Sequence, residues 1–124
     1  SAFSSHDATP VAVATDGAIF GFQVSGAETL TAWSGLAVRN GTAQRVNTAI
    51  APVAATFADL SVALIKSGSE VDAFFFVNGV QVGTISNAVT PTATMNVWAS
   101  VVAKAGSASR DLDIDYIQLA GTRV

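Results

Sequence analysis

The chain contains no cysteine and only one histidine among its 124 residues. The first absence excludes a disulfide framework, thiolate metal ligation and a thiol nucleophile, and it fits folding in a reducing compartment. With one imidazole and no thiolate, the ligand set for a zinc centre is missing. Charge is also scarce: charged residues make up 12% of the chain, against roughly 25% in ordinary soluble domains. Six Lys and Arg spread along a chain of net charge -3 make no phosphate-binding stripe, so nucleic acid is not an expected partner. Mean hydropathy is positive, yet no run approaches the ~20 consecutive apolar residues of a spanning helix. The opening SAFSSHDATP lacks the basic start and apolar stretch of a signal peptide. No membrane association is expected.

Hydrophobic residues fill half the chain, distributed in short runs rich in Val, Ile, Phe, Thr and Ala. Turn pairs punctuate them: Asp16-Gly17, Ser25-Gly26, Asn40-Gly41, Ser67-Gly68, Asn78-Gly79 and Gly106-Ser107. This rhythm predicts an all-β antiparallel two-sheet β-sandwich. Residues 1–9 read as a polar N-terminal arm and 10–124 as a single sandwich domain. Strands are expected near 10–15, 17–24, 28–39, 42–49, 56–66, 70–77, 80–86, 94–104 and 110–120. Period-two alternation supports several of them. Ala58, Leu60, Val62 and Leu64 oppose Asp59 and Ser61; Leu30, Ala32, Leu36 and Val38 oppose Thr29, Thr31 and Arg39; Met95, Val97, Ala99, Val101 and Ala103 oppose Thr94, Asn96, Ser100 and Lys104.

The stretch VDAFFFVNGVQVGTIS, residues 71–86, is the sharpest local signal. Asn-Gly suits a type I′ turn, which needs positive φ at both central residues. A two-residue loop at Asn78 and Gly79 pairs Val77 with Val80, Phe76 with Gln81, Phe75 with Val82 and Phe74 with Gly83. Val71, Ala73, Phe75, Val77, Val80 and Val82 then form the core face. Phe74 and Phe76 fall on the opposite face, where full burial of each ring would contribute ~1.5–3 kcal/mol. A loop of the same chain or a second subunit is expected to cover them.

Constellations for catalysis are not apparent. His6 sits in the polar opening beside Asp7, and neighbours in sequence do not form a triad. Asp111, Asp113 and Asp115 share one strand face, but carboxylates two residues apart lie ~7 Å from one another, so one ion cannot bridge three in a row; a solvated face is expected. Glu28 and Glu70, the two glutamates, both fall at turns, which leaves no acid and base pair for glycoside hydrolysis. No enzyme, no cofactor and no metal site are expected. Trp33 and Trp98 lie on polar faces among Thr and Asn. Three roles stay open for them: stacking on a sugar ring, anchoring a protein interface, or lying under a loop.

Three pieces of the C-terminal half carry a family resemblance: FADLSVAL, the VDAFFFVNGVQVGTIS hairpin, and ASVVAKAGSASRDLDIDYIQL. Together they resemble the concanavalin-like (LamG-like) jelly-roll domains of tailed-phage structural proteins, whose hairpin and closing strand have similar patterns. The resemblance implies a jelly-roll topology and a non-enzymatic virion component. It suggests a cement or decoration protein on the capsid exterior, binding the major capsid protein, with a homotrimer favoured. Phe74, Phe76, Trp33 and Trp98 are then the candidate partner-facing residues. A carbohydrate-binding, lectin-like module, including a tail-fibre receptor-binding domain, is the alternative; the sequence lacks the calcium loop of the lectin members.

Overall fold

A computed structural model of the chain describes residues 15–21, 32–94 and 114–121. The described residues form an all-β structure of six strands: β1 (Gly17–Gly21), β2 (Ser34–Arg39), β3 (Thr42–Asn47), β4 (Leu60–Ser67), β5 (Glu70–Val77) and β6 (Val80–Ile85). They make two antiparallel three-stranded sheets, ordered β1-β2-β3 and β4-β5-β6. The sheets meet face to face, with β3 and β2 against β6 and β1 against β4.

Three two-residue loops set the register. Arg39 pairs with Thr42 across Asn40-Gly41, Ser67 with Glu70 across Gly68-Ser69, and Val77 with Val80 across Asn78-Gly79. Asn40 and Gly41 have φ of 48° and 77°, Asn78 and Gly79 of 50° and 78°. Positive φ at both central positions is the type I′ requirement, and its twist matches that of the flanking strands. At Gly68-Ser69 only the glycine has positive φ, 63°, the pattern of a type II′ turn.

The core centres on Phe75, which is fully buried with Val71, Ala73 and Val77 along the inner face of β5. Phe20 of β1 meets its ring edge-on, with centroids 5.3 Å apart at 85°, an arrangement that adds about 0.5–1.5 kcal/mol to simple burial. The ring also lies over Gly35 of β2: a Cβ built on Gly35 would stand 2.7 Å from its Cγ and Cδ2. Glycine is therefore required at Gly35 for close approach of the sheets. Gly83 of β6 stands in the same relation to Val46 of β3, at 2.8 Å.

Two registers differ from the sequence expectation. On β6, pairing shifts between Phe75 and Phe76, so Phe75 faces Gly83 and Phe74 faces Thr84. The expected pairs, Phe75 with Val82 and Phe74 with Gly83, are not formed, because Val82 is an extra residue in a bulge. The reason lies three residues on: without the bulge Ile85 would point outward and Thr84 into the core, whereas with it Ile85 is buried and Thr84 exposed. Val80 does not join the core face; next to the turn it is 64% exposed. On β2, Gly35 and Ala37 face the second sheet, while Leu36 and Val38 point the other way and are buried too. Both faces of this central strand are dry.

Residues 86–90 close one end of the core. Ala88 N donates to Val71 O at 2.7 Å, and Ala88 and Val89 are buried. Asp16 ties this turn to the first sheet across 74 positions of sequence, its Oδ1 accepting from Thr90 N at 2.6 Å. Residues 114–120, the described part of the strand expected at 110–120, take no strand conformation and are exposed throughout. Residues 51–59, which lead from the first sheet to the second, are exposed except for half-buried Pro52. The expected strand near 10–15 has only Thr15 described, outside any strand, and that at 94–104 only Thr94.

Candidate assembly surface

The outer face of the second sheet places Phe74 and Phe76 side by side on β5. Ala63 and Ser61 of β4 flank them on one side, Thr84 and Gln81 of β6 on the other. Gln81 Nε2 donates to Thr84 Oγ1 at 3.0 Å, bridging the bulge. Asp72 continues the row and accepts from Asn87 N through Oδ1 at 2.8 Å. Both phenylalanines are half-buried, so part of each ring is sheltered within a single chain.

Trp33 is held by its backbone just ahead of β2. Its N donates to Ile50 O at 2.8 Å, and its O accepts from Thr48 N at 3.1 Å and Thr48 Oγ1 at 2.8 Å. The same hydroxyl accepts from Ile50 N at 3.2 Å, and Asn47 Oδ1 accepts from Ala49 N at 2.9 Å. Ala49 takes a φ of 60°. The ladder is thus extended past the end of β3 by a bulge that the side chains of Asn47 and Thr48 stabilise locally. The Trp33 side chain is half-buried. Trp98, His6, Glu28, Asp111 and Asp113 lie outside the described residues.

A third region, which the sequence reading did not single out, carries the largest exposed apolar side chains. Its anchor is the Asn78-Gly79 turn. Asn78 N donates to Asp59 O at 2.8 Å, and Asn78 Oδ1 accepts from Asp59 N at 3.0 Å. Asn78 therefore both supplies the left-handed turn and pins residue 59, just ahead of β4. Tyr116 Oη donates to Asp59 Oδ2 at 3.3 Å and brings residues 114–119 to the same node. The Asp59 carboxylate beside it, with that hydrogen bond, pushes the Tyr116 phenol above its ordinary value. Within two residues of Asp59, Phe57 is 70% exposed; Ile117 and Leu119 follow Tyr116, with Leu119 at 78%. The signal for this region was available as the apolar spacing Ile114, Tyr116, Ile117, Leu119, but only structure separates an exposed segment from a core strand.

Polar features are modest by comparison. An open cleft of about 590 Å³ is lined by Arg39, Asn40, Thr42, Gln44 and Thr90, a set without an acid and base pair or a nucleophile with its base. Beside it, burial pushes the Asp16 carboxyl upward, but bonds from the Thr90 hydroxyl and backbone and from the Asn40 backbone, with the Arg39 charge, hold it below its ordinary value. Among the described residues no three His, Cys, Asp or Glu side chains gather in a metal-binding group. Comparison with family models, with curated proteins and with solved structures finds no match to this chain.

Proposed function

We propose that the chain is a non-enzymatic structural module that works in an assembly, its setting being the capsid exterior of a tailed phage. There it would bind the major capsid protein as a decoration or cement protein, as a homo-oligomer and on a jelly-roll topology. The observation that carries the assembly reading is the exposed apolar surface around Asp59: Phe57, Tyr116, Ile117 and Leu119 stand in solvent in one chain. Large apolar patches rimmed by polar groups mark interaction surfaces, and a chain with 12% charged residues has little else to keep such a patch wetted. The phage setting is supported by the resemblance of the Phe hairpin and the IDYIQL segment.

The test is co-sedimentation of the purified protein with shells of the major capsid protein encoded in the same genome. The expected outcome is saturable binding that Phe57→Asp weakens. A strict monomer that stays in the supernatant, and instead binds a glycan array in a manner lost on Trp98→Ala, overturns this reading.

A further inference from the structure

The exposed surface contains a strand-like segment and a strand edge that fit one another. Among the described residues β4 pairs only with β5, and no described strand lies along its other edge. Its second half, from Leu64 to Ser67, is exposed, with Ile65 at 53%. An open apolar edge with a single lysine, Lys66, to guard it is a template for another strand. Residues 114–120 have no strand partner of their own and are exposed throughout.

We propose that residues 114–120 of one copy of the chain add as an antiparallel strand to the open edge of β4 in a second copy. This deepens the assembly reading above by naming how copies join. One register satisfies every side chain. With Asp115 opposite Lys66, Ile117 and Leu119 fall opposite Leu64 and Val62 on the inner face, and Tyr116 falls opposite Ile65 on the outer face. A shift of two residues either way sets Asp115 against Leu64 or Ile117 against Lys66. A shift of one turns every side chain to the wrong face.

The second copy is the fitting acceptor because of where a chain holds its own segment. Tyr116 is bonded to Asp59, ahead of the first residue of β4. In the proposed register it belongs opposite Ile65, six residues further on, or about 20 Å at the rise of a strand. Each copy carries one donor and one acceptor, so reciprocal exchange between two copies, or head-to-tail exchange around a closed ring, occupies the β4 edge of every copy.

The absence of cysteine makes the register directly readable by cross-linking. Residues opposite one another on antiparallel strands have Cα atoms about 4.5–5.5 Å apart, within disulfide reach. Full-length protein carrying both Ala63→Cys and Gln118→Cys, oxidised in solution without any capsid component, is expected to shift from 12.6 kDa to multiples of that mass. A mixture of the two single variants should link as well, and a mixture of Gln118→Cys with Ser67→Cys should not. An internal disulfide at monomer mass, no disulfide, or equal linking at positions 63 and 67 overturns the proposal. Should the cysteine variants melt below the parent, sedimentation of Asp115→Lys gives an independent reading. Self-association about fivefold weaker, as for loss of an exposed ion pair of up to ~1 kcal/mol, should be restored by adding Lys66→Asp; unchanged association in both variants also overturns it. Failure to bind shells would refute the capsid setting and leave these outcomes untouched.

Discussion

Gly35→Ala is the substitution that best probes how the two sheets are held together. An added methyl at Gly35 would stand 2.7–2.8 Å from three atoms of the Phe75 ring. The ring cannot retreat: it is fully buried, Phe20 abuts it edge-on, and Gly83 opposite it is packed against Val46. Overpacking of this kind costs about 1–3 kcal/mol. For a chain of this size each kcal/mol lowers Tm by about 4 °C, so the midpoint should fall by about 4–12 °C. The sign is as informative as the size. Gly35 does not have positive φ, and at such a position alanine by itself would stabilise by about 0.4–1 kcal/mol through the unfolded chain. Thermal unfolding followed by circular dichroism, in Gly35→Ala, Phe75→Leu and the double variant, completes the argument. A smaller side chain at position 75 gives the methyl room, so the double variant should be more stable than the sum of the single losses predicts, by about 0.5–3 kcal/mol. An unchanged or raised Tm in Gly35→Ala, or strict additivity, refutes the packing account.

Asn78 separates two roles by substitution. Asn78→Gly keeps the turn and the backbone bond to Asp59 O but removes the side-chain bond from Asp59 N, with an expected loss of about 1 kcal/mol; Asn78→Ala also puts a non-glycine side chain with no local bond in the left-handed region, adding about 1–2 kcal/mol. Urea unfolding midpoints should rank wild type, then Gly, then Ala; no loss in Asn78→Gly would contradict the side-chain bond, and equal losses in the two variants would contradict the left-handed strain. The Asp16 carboxyl, held below its ordinary value by Thr90, Asn40 and Arg39 against the effect of burial, contributes stability that is fully present above the unfolded value and lost as pH falls through the folded one. Wild type should therefore lose more stability than Asp16→Asn between pH 5 and pH 2, values bracketing the ordinary carboxylate range; parallel curves would remove Asp16 from the account. Thr48→Val deletes the buried hydroxyl that bonds Trp33 O and Ile50 N, for an expected loss of about 1–3 kcal/mol in denaturant unfolding.

Much of the second sheet is readable from its residues, and the reason is local. Asn78-Gly79 dictates its own turn, and β5 alternates without interruption from Val71 to Val77, so the inward set Val71, Ala73, Phe75 and Val77 follows from parity. The bulge at Val82 is harder to see because it is decided by Ile85, three residues away, which must reach the core. On β2 the run Ser34 to Val38 has no charged residue to mark an outer face, and its inner positions turn out to be the small ones, Gly35 and Ala37, sized by Phe75 from the other sheet. No period in the sequence carries that information. The same holds for residues 114–120: alternation describes a segment able to form a strand, while the partner that makes it one is a property of what lies beside it. For the candidate surface, the pairing of Phe74 and Phe76 on one face was legible, whereas the node at Asp59 depends on contacts 19 and 57 residues apart.

The exposed passage from residue 51 to residue 59 has a practical corollary. A single cut there would yield two halves, one carrying β1 to β3 and the other β4 to β6. Among the described residues no hydrogen-bonded ladder crosses between these halves, so each would retain its own sheet. Among the described contacts, reunion would draw on an edge-on aromatic pair, two close-fitting glycines and one aspartate clasp. The molecule is thereby suited to use as a split reporter, whose described halves would find each other through side-chain fit.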